Sequence, residues 1–194
     1  MLTLSGKNIN LRPLEPEDLE FIYEIENNED LWELSSTQTP YSRFLIKQYL
    51  DNAHRDIYEV KQLRLVIETK EEERLGLIDI FDFDPQHRRA AIGILIVEKE
   101  NRGKGFGAEA LKLLCGYSFE RLKLHQLYAN VAEENLKSQK LFRNMNFQQI
   151  GHEIGLIATQ GLPSGHTFSA GFFKGDWLLN HDIVRQGHFF DSRG

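Results

Sequence analysis

The residues best suited to chemistry are Arg102-Gly103-Lys104-Gly105-Phe106-Gly107-Ala108, lying between an apolar run that ends at Val97 and a long helical pattern. Glycines at such a junction let the backbone approach a ligand closely. The first amides of a helix have no partner within it, and the helix dipole is positive at that end. Together these features suit a phosphate or pyrophosphate. Arg102 and Lys104 add positive charge in a chain where 23 Lys and Arg face 29 Asp and Glu, a formal net charge of −6. The plainer alternative is a flexible connection with no ligand. Gly103, Gly105 and Ala108 also fit a loose dinucleotide fingerprint, but Glu98 to Asn101 separate them from the strand that such a fingerprint should follow directly. The phosphate-loop pattern Gly-x-x-x-x-Gly-Lys-Ser/Thr is absent. An anion-binding loop is therefore the expectation.

Little else advertises chemistry by spacing alone. The seven histidines show no metal-ligand pattern, so no metal is expected. Cys115 is the single cysteine and lies on the apolar face of a helical pattern, so it reads as a core residue. One cysteine permits no internal disulfide, which fits a reducing compartment. The acidic balance argues against nucleic acid and anionic membrane as partners and is compatible with a small cationic molecule. No apolar run approaches the ~20 residues of a membrane span. The first residues show no apolar leader pattern, so a cytoplasmic location is expected.

The elements that must position the loop are legible for most of the chain. A short strand runs over Asn8–Leu14 and ends at Pro13. Pro16 with Glu15, Glu17 and Asp18 marks a helix start, and Asn27 and Asn28 its end. Glu26 to Pro40 reads as polar and irregular, with Trp32 inside it. Ser42 can cap a second helix reaching about Asn52. Strands follow at Leu63–Thr69, Leu75–Phe83 and Ala90–Val97, the last nearly continuous in apolar residues and so central. A long helix covers Gly105–Leu122, with Ala108, Leu111, Leu114, Cys115, Ser118 and Leu122 on one face. Gln126–Ala132 is a strand, Ser138–Asn144 a short helix and Phe147–Ile157 another strand. Residues 151–194 carry only weak patterns and form an atypical C-terminal segment of what reads as one domain over 1–194.

Arg102 to Gly107 fits the Gln/Arg-x-x-Gly-x-Gly/Ala motif, and on that motif the chain resembles the GNAT-family acetyltransferases. The resemblance extends through Leu11-Arg12-Pro13-Leu14-Glu15-Pro16-Glu17-Asp18-Leu19, His87-Arg88-Arg89-Ala90, and Glu134 through Asn146-Phe147, covering roughly residues 8 to 150. Within the family it looks nearest to bacterial spermidine N-acetyltransferases, then to ribosomal-protein N-terminal acetyltransferases. It implies an α/β (α+β) fold, a mixed, mostly antiparallel central sheet of about six or seven strands flanked by about four helices. It also implies acetyl-CoA as cosubstrate, a small cationic amine as acceptor and a homo-oligomer.

Residue by residue, the resemblance implies that acetyl-CoA lies where the strand Ala90–Val97 and the next one splay apart. The main chain of Ile94, Leu95 and Ile96 would pair with the pantetheine arm. The amides from Arg102 through Gly103, Lys104, Gly105, Phe106 and Gly107 to Ala108 would take the pyrophosphate. Asn135 would contact the cosubstrate, and it also suits a helix cap. Many relatives use a tyrosine where Phe142 stands, and phenylalanine cannot donate a proton. Ser138, four positions earlier, or a water it holds, is then expected to support the leaving thiolate. Tyr128 and Tyr117 are further candidates that core packing also explains.

The acceptor side should be acidic. Glu26, Glu29, Asp30 and Glu33 crowd the loop after the first helix. Asp79, Asp82 and Asp84 are read as one face of a strand. Grouped carboxylates raise one another's pKa and suit a general base or a polycation. Glu26 and Asp79 are the preferred candidates, since apolar residues flank each. Asp82 and Asp84 read more simply as charges that protect an edge strand. Trp32 either packs over acceptor methylenes or anchors its loop. The expected activity is transfer of acetyl to a polyamine. A protein N-terminal amine as acceptor, or a non-catalytic binding module suggested by Phe142, are the alternatives.

Overall fold

The computed structural model describes residues 4–35, 39–154 and 166–173. Seven strands form one sheet: β1 (Ile9–Pro13), β2 (Leu63–Thr69), β3 (Arg74–Asp84), β4 (Arg89–Ile96), β5 (Gln126–Ala132), β6 (Gln148–Ile154) and β7 (His166–Phe173). Their order is β1-β2-β3-β4-β5-β7-β6. Every pairing is antiparallel except that of β4 with β5. The strand count falls within the expected range. β7 arises in the stretch left without an element, and it inserts between β5 and β6.

Six α-helices are described: α1 (Leu19–Glu26), α2 (Glu29–Ser35), α3 (Arg43–Asp51), α4 (Ile57–Val60), α5 (Phe106–Glu120) and α6 (Leu136–Asn144). That is two more than the four expected. α2 occupies the segment read as irregular, where buried Leu31 supplies the apolar contact its polar sequence hides. α4 is a single turn, started by the Asp56 side chain accepting from Tyr58 N–H at 2.7 Å. Ser42 caps α3 as its sequence suggests, accepting from Leu45 N–H at 3.2 Å.

The sheet is covered on both faces, which is why its central strands are nearly all apolar. One face carries Leu65, Ile67, Ile78, Ile80, Ile92, Ile94, Leu127, Ala129 and Val131 against Ala110, Leu111, Leu114, Cys115 and Phe119 of α5 and Phe142 of α6. Cys115 is fully buried there. Ala108 and Leu122, expected on that face, are only partly buried, and Phe119 fills the centre. The other face carries Val66 and Leu77 against Ile22 and Ile25 of α1, Leu31 of α2, and Ile46 and Leu50 of α3. Asp18 ties β1 to the α1 entrance. Its buried carboxylate accepts from Arg12 at 2.7 and 2.9 Å and from Glu15 N–H at 2.9 Å, with Arg74 at 2.8 Å. Burial opposes ionisation of Asp18, but these donors hold its pKa below the ordinary value.

Candidate functional site

The sheet opens between β4 and β5. Their parallel register runs only over Arg89↔Gln126, Ala90↔Leu127 and Ala91↔Tyr128, although each strand continues beyond it. On its other edge β4 stays paired with β3 up to Gly76↔Ile96, and Val97 N–H donates to Leu75 O at 3.0 Å. In an antiparallel pair the hydrogen-bonding groups alternate between the two edges of a strand. Val97, Leu95 and Gly93 therefore direct their main chain at β3, and Ile96 and Ile94 direct theirs at the gap. This corrects one expectation: Ile94 and Ile96 can pair with a ligand in the gap through their backbone, but Leu95 cannot. Leu95 instead contributes its side chain to the α1–α3 face.

The glycine loop closes one end of this gap. Gly103 and Gly105 have φ of +80° and +93°, values that side-chain-bearing residues adopt only with strain, and open space surrounds both. Gly105 is the N-cap of α5, so the first α5 amides, from Phe106, Gly107 and Ala108, lie at the start of a 15-residue helix. Gly107 sits close to Leu141 of α6 and to Ile94 and Ile96 of β4: a Cβ there would lie 3.5, 3.7 and 4.0 Å from their side chains. The loop, the gap and α6 thus converge.

Arg102 does something its sequence did not suggest. Its guanidinium donates to Ile96 O and Val97 O, both at 2.8 Å, and so fastens the loop to the end of β4. Lys104 is exposed, its ammonium 2.9 Å from Asn101 Oδ1. Positive charge is present at the loop, but the arginine's hydrogen bonds serve the scaffold.

α6 forms the opposite wall. Asn135 caps it, accepting from Ser138 N–H at 3.0 Å. Ser138 is half-buried, and among the described residues its hydroxyl has no partner. Ser138 and Leu141 are three residues apart and share a helix face, the one that meets Gly107 and β4. Phe142 points elsewhere: it is fully buried, with its ring edge-to-face against Phe147 at 5.2 Å. Tyr117 is half-buried against the α5 core.

On the α1–α3 face, α1, α3, β2 and β3 bring four side chains together. Arg64 of β2, 5% exposed, donates to Asp79 of β3 through Nε at 2.7 Å and through a second nitrogen at 3.4 Å. It also donates to Glu26 of α1 at 3.1 Å. The Tyr49 ring of α3 lies 5.5 Å from the guanidinium. Glu26 and Asp79, the preferred carboxylates, are thus joined through an arginine that sequence reasoning missed. Burial raises the Glu26 pKa to about 7; Arg64 opposes the shift and Asp79 adds to it. Burial also raises that of Asp79, against the pull of Arg64. Burial works against the charge on Arg64 itself, but Asp79 and the other neighbours keep it protonated. Trp32 anchors this corner, its indole N–H donating to Glu26 O at 2.9 Å. Asn27 accepts from Tyr41 N–H at 2.8 Å and donates to Tyr23 O and Tyr41 O. Of the other loop acids, Glu29 and Asp30 open α2, with Lys99 3.6 Å from Asp30. The Glu33 side chain lies outside the described residues.

The expectation that Asp79, Asp82 and Asp84 share one face fails, because Asp82 stands three residues from Asp79, an odd step in a strand whose side chains alternate, and a bulge in the β3–β4 register between Phe81 and Asp84 further turns Asp82 to φ +46°. Nor is β3 an edge, since it lies between β2 and β4. Asp79 faces Gly93 in the register, beside the gap. Asp84 serves the following turn, accepting from His87 N–H at 2.9 Å, with His87 Nδ1 at 2.7 Å and Arg89 at 3.4 Å. Asp82 is exposed and accepts from the Tyr128 hydroxyl at 3.3 Å. Tyr128 pairs with Ala91, and Ala91 with Phe81, so the tyrosine reaches across a small residue on the last closed rung before the gap. Among the described residues no cation lies against Asp82.

Among the described residues there is no group of three His, Cys, Asp or Glu placed to hold a metal ion, and no helix is long and apolar enough to cross a membrane. Residues 8–148 match the acetyltransferase (GNAT) domain family. The chain is 33% identical over 147 residues to the spermidine N(1)-acetyltransferase of Escherichia coli strain K12, covering 76% of each. The crystal structure of a spermidine N-acetyltransferase from Vibrio cholerae in complex with CoA and spermine superposes with a TM-score of 0.72 at 29% identity, covering 88% of this chain and 98% of that one. A spermidine/spermine N-acetyltransferase from Vibrio cholerae in complex with manganese ions superposes with a TM-score of 0.70 at 29% identity, covering 89% and 96%.

Proposed function

The chain belongs to the GNAT acetyltransferase family, and from that premise we propose that it transfers acetyl from acetyl-CoA to a primary amine of a linear polyamine such as spermidine. The observation that carries this reading is the gap beyond Ala91 and Tyr128, with the α5 N-terminus at its end and a carboxylate-rich face beside it. The Vibrio cholerae relative in complex with CoA and spermine binds ligands of the same two kinds.

The pyrophosphate would lie on the amides from Arg102 to Ala108, and the pantetheine arm along Ile94 and Ile96. The acetyl thioester would then lie near Gly93 and Asp79. Polyamine nitrogens are protonated in neutral water, so one must lose a proton before it attacks. The buried carboxylates Glu26 and Asp79 are the proposed acceptors of that proton. The neutral nitrogen forms a bond to the thioester carbon, the C–S bond breaks, and the sulfur takes the electron pair. The nitrogen, cationic once bonded, sheds its second proton, and Ser138, or a water on its hydroxyl, relays it: one proton passes to the thiolate and the one shed by the nitrogen restores the hydroxyl. A second ammonium of the acceptor would meet Asp82, which is exposed and lacks a cationic partner among the described residues. A manganese complex exists among the relatives, and the proposed reaction assigns no step to a metal.

Thiol release from acetyl-CoA, measured over spermidine, spermine, a monoamine and an alanine-headed peptide, tests this. Turnover is expected with the polyamines. Preference for the peptide would replace the reading with protein N-terminal acetylation, and silence on every amine would leave a binding module. Calorimetric binding of NAD without acetyl-CoA would remove the cosubstrate assignment.

A further inference from the structure

Among the described residues, the buried acceptor-side group holds one cation against two carboxylates, all three nearly sealed from water. Paired as Arg64 with one carboxylate, the group leaves the other uncompensated. A buried excess charge is costly and is relieved by a proton or a second cation. The site is therefore built to hold one exchangeable proton, and the geometry shows where it goes. Asp79 takes two nitrogens of Arg64, the nearer at 2.7 Å. Glu26 takes one, at 3.1 Å. Forked donation to a carboxylate is the stronger arrangement and favours the ionised form of the acid that receives it.

We propose that Arg64 is the positioning residue of the acceptor-side base: by engaging Asp79 with two nitrogens and Glu26 with one, it confines the exchangeable proton of the pair to Glu26. This deepens the reading given under Proposed function, where either carboxylate could serve. Glu26 is then the group that takes the proton from the acceptor nitrogen. Asp79 stays ionised, and its nearby charge keeps Glu26 basic enough to accept.

The groups that face Glu26 can be named element by element. Arg64 comes from β2, Asp79 from β3 and Tyr49 from α3, and Tyr41 lies just before α3. Burial raises both tyrosines, so they stay neutral in the range where Glu26 titrates. Trp32, from α2, meets Glu26 through its backbone carbonyl. Among the described residues, Arg64 and Asp79 are thus the charges that set the behaviour of Glu26. They act with opposite sign, because Arg64 favours the carboxylate and Asp79 disfavours it.

The opposite signs provide the test. Carbon-13 NMR of the side-chain carboxyls, with the Glu26 signal assigned by its loss in Glu26→Gln, follows titration in the resting protein. Alongside it, kcat/KM is measured against pH for whichever amine the wild-type protein acetylates. In the wild type, Glu26 is expected to titrate near pH 7, with kcat/KM rising through the same region as the carboxylate forms. Asp79→Asn should move both the NMR titration and the rising limb to lower pH by one unit or more. Arg64→Met should move both to higher pH, and Arg64→Lys, which keeps the charge and loses the fork, should move them less.

A merely structural arginine would lower the rate at every pH and leave the limb in place. If Arg64→Met fails to fold, Asp79→Asn still decides the matter. Glu26 titrating in the ordinary carboxylate range, or unmoved by Asp79→Asn, overturns the proposal. So does a wild-type rising limb retained in Glu26→Gln. A protein that acetylates no amine overturns the catalytic reading, and the NMR titration still decides how the proton is placed.

Discussion

The two walls of the proposed cleft are built in different ways. The cosubstrate side is made of backbone: the β4 edge at Ile94 and Ile96 that β5 leaves open, with Arg102 on the Ile96 carbonyl, helix amides behind Gly105, and glycines at φ near +80° and +93°. The acceptor side is made of side chains that meet only in three dimensions, Glu26 from α1, Arg64 from β2, Asp79 from β3 and Tyr49 from α3. A backbone site tolerates many side chains and depends on a few glycines. A side-chain site has no such local signature, and each member depends on all the others. Substitutions on the two walls should therefore fail differently.

The largest effect is expected at the backbone wall. Gly105→Glu forces a side chain onto φ +93° and sets a carboxylate at the helix N-terminus where the pyrophosphate would lie. Calorimetry should show acetyl-CoA affinity lowered by roughly a hundredfold or more, about 3 kcal/mol. Gly105→Ala carries the strain without the charge and should lose less. Equal losses in the two would mean that the wall works through conformation alone. Unchanged affinity in both would remove the loop from the site.

Phe142 tests whether the α6 wall extends into the core. Its ring is fully sealed against Phe147, so Phe142→Tyr would bury a hydroxyl without a partner. Stability should fall by about 1–3 kcal/mol, read by denaturant unfolding, with little gain in turnover. A stable, faster Phe142→Tyr would show that this position opens onto the cleft.

The same contrast explains what could be read from the sequence. The glycine loop was legible because glycine at a strand-to-helix junction is itself a backbone statement. The sheet was legible through its apolar runs, and Pro16 and Ser42 marked helix starts. α2 was not, since its sequence reads as polar around Leu31, and neither was β7, whose pattern is weak. Glu26 and Asp79 were singled out by their apolar flanks, but their partner was not. A signal for Arg64 did exist: it stands within Leu63-Arg64-Leu65-Val66-Ile67, a run too apolar to have a wet face. A charge in such a strand must find a buried partner of opposite sign, and Asp79 stands in an equally apolar run. The grouping of Asp82 with Asp79 has a simpler cause: three residues separate them, so period-two alternation already sets them on opposite faces, and the bulge at Asp82 then removes that residue from the alternation altogether.

Ser138 lies on the α6 face that meets Gly107 and β4. Its amide, not its hydroxyl, is what Asn135 caps, so Ser138→Ala leaves the helix start intact. A hydroxyl that serves the thiolate should cost roughly tenfold or more in kcat when removed, with acetyl-CoA affinity within twofold. Single-turnover kinetics separates this from slowed product release. An unchanged chemical step would return Ser138 to the scaffold.

The smallest effect is expected at Asp82, the one β3 carboxylate without a cationic partner among the described residues. Asparagine tolerates the left-handed conformation found there, so Asp82→Asn removes charge without adding backbone strain. Because the carboxylate is exposed, an ammonium paired with it gains only about 0.2–1 kcal/mol. KM for spermidine should then rise no more than about fivefold, with kcat preserved, and the rise should shrink as salt is added. A monoamine has no second ammonium to lose, so its KM should not move. Equal increases for both acceptors would assign Asp82 to general cleft architecture, and no increase for either would confine acceptor recognition to the buried wall of Glu26, Arg64 and Asp79.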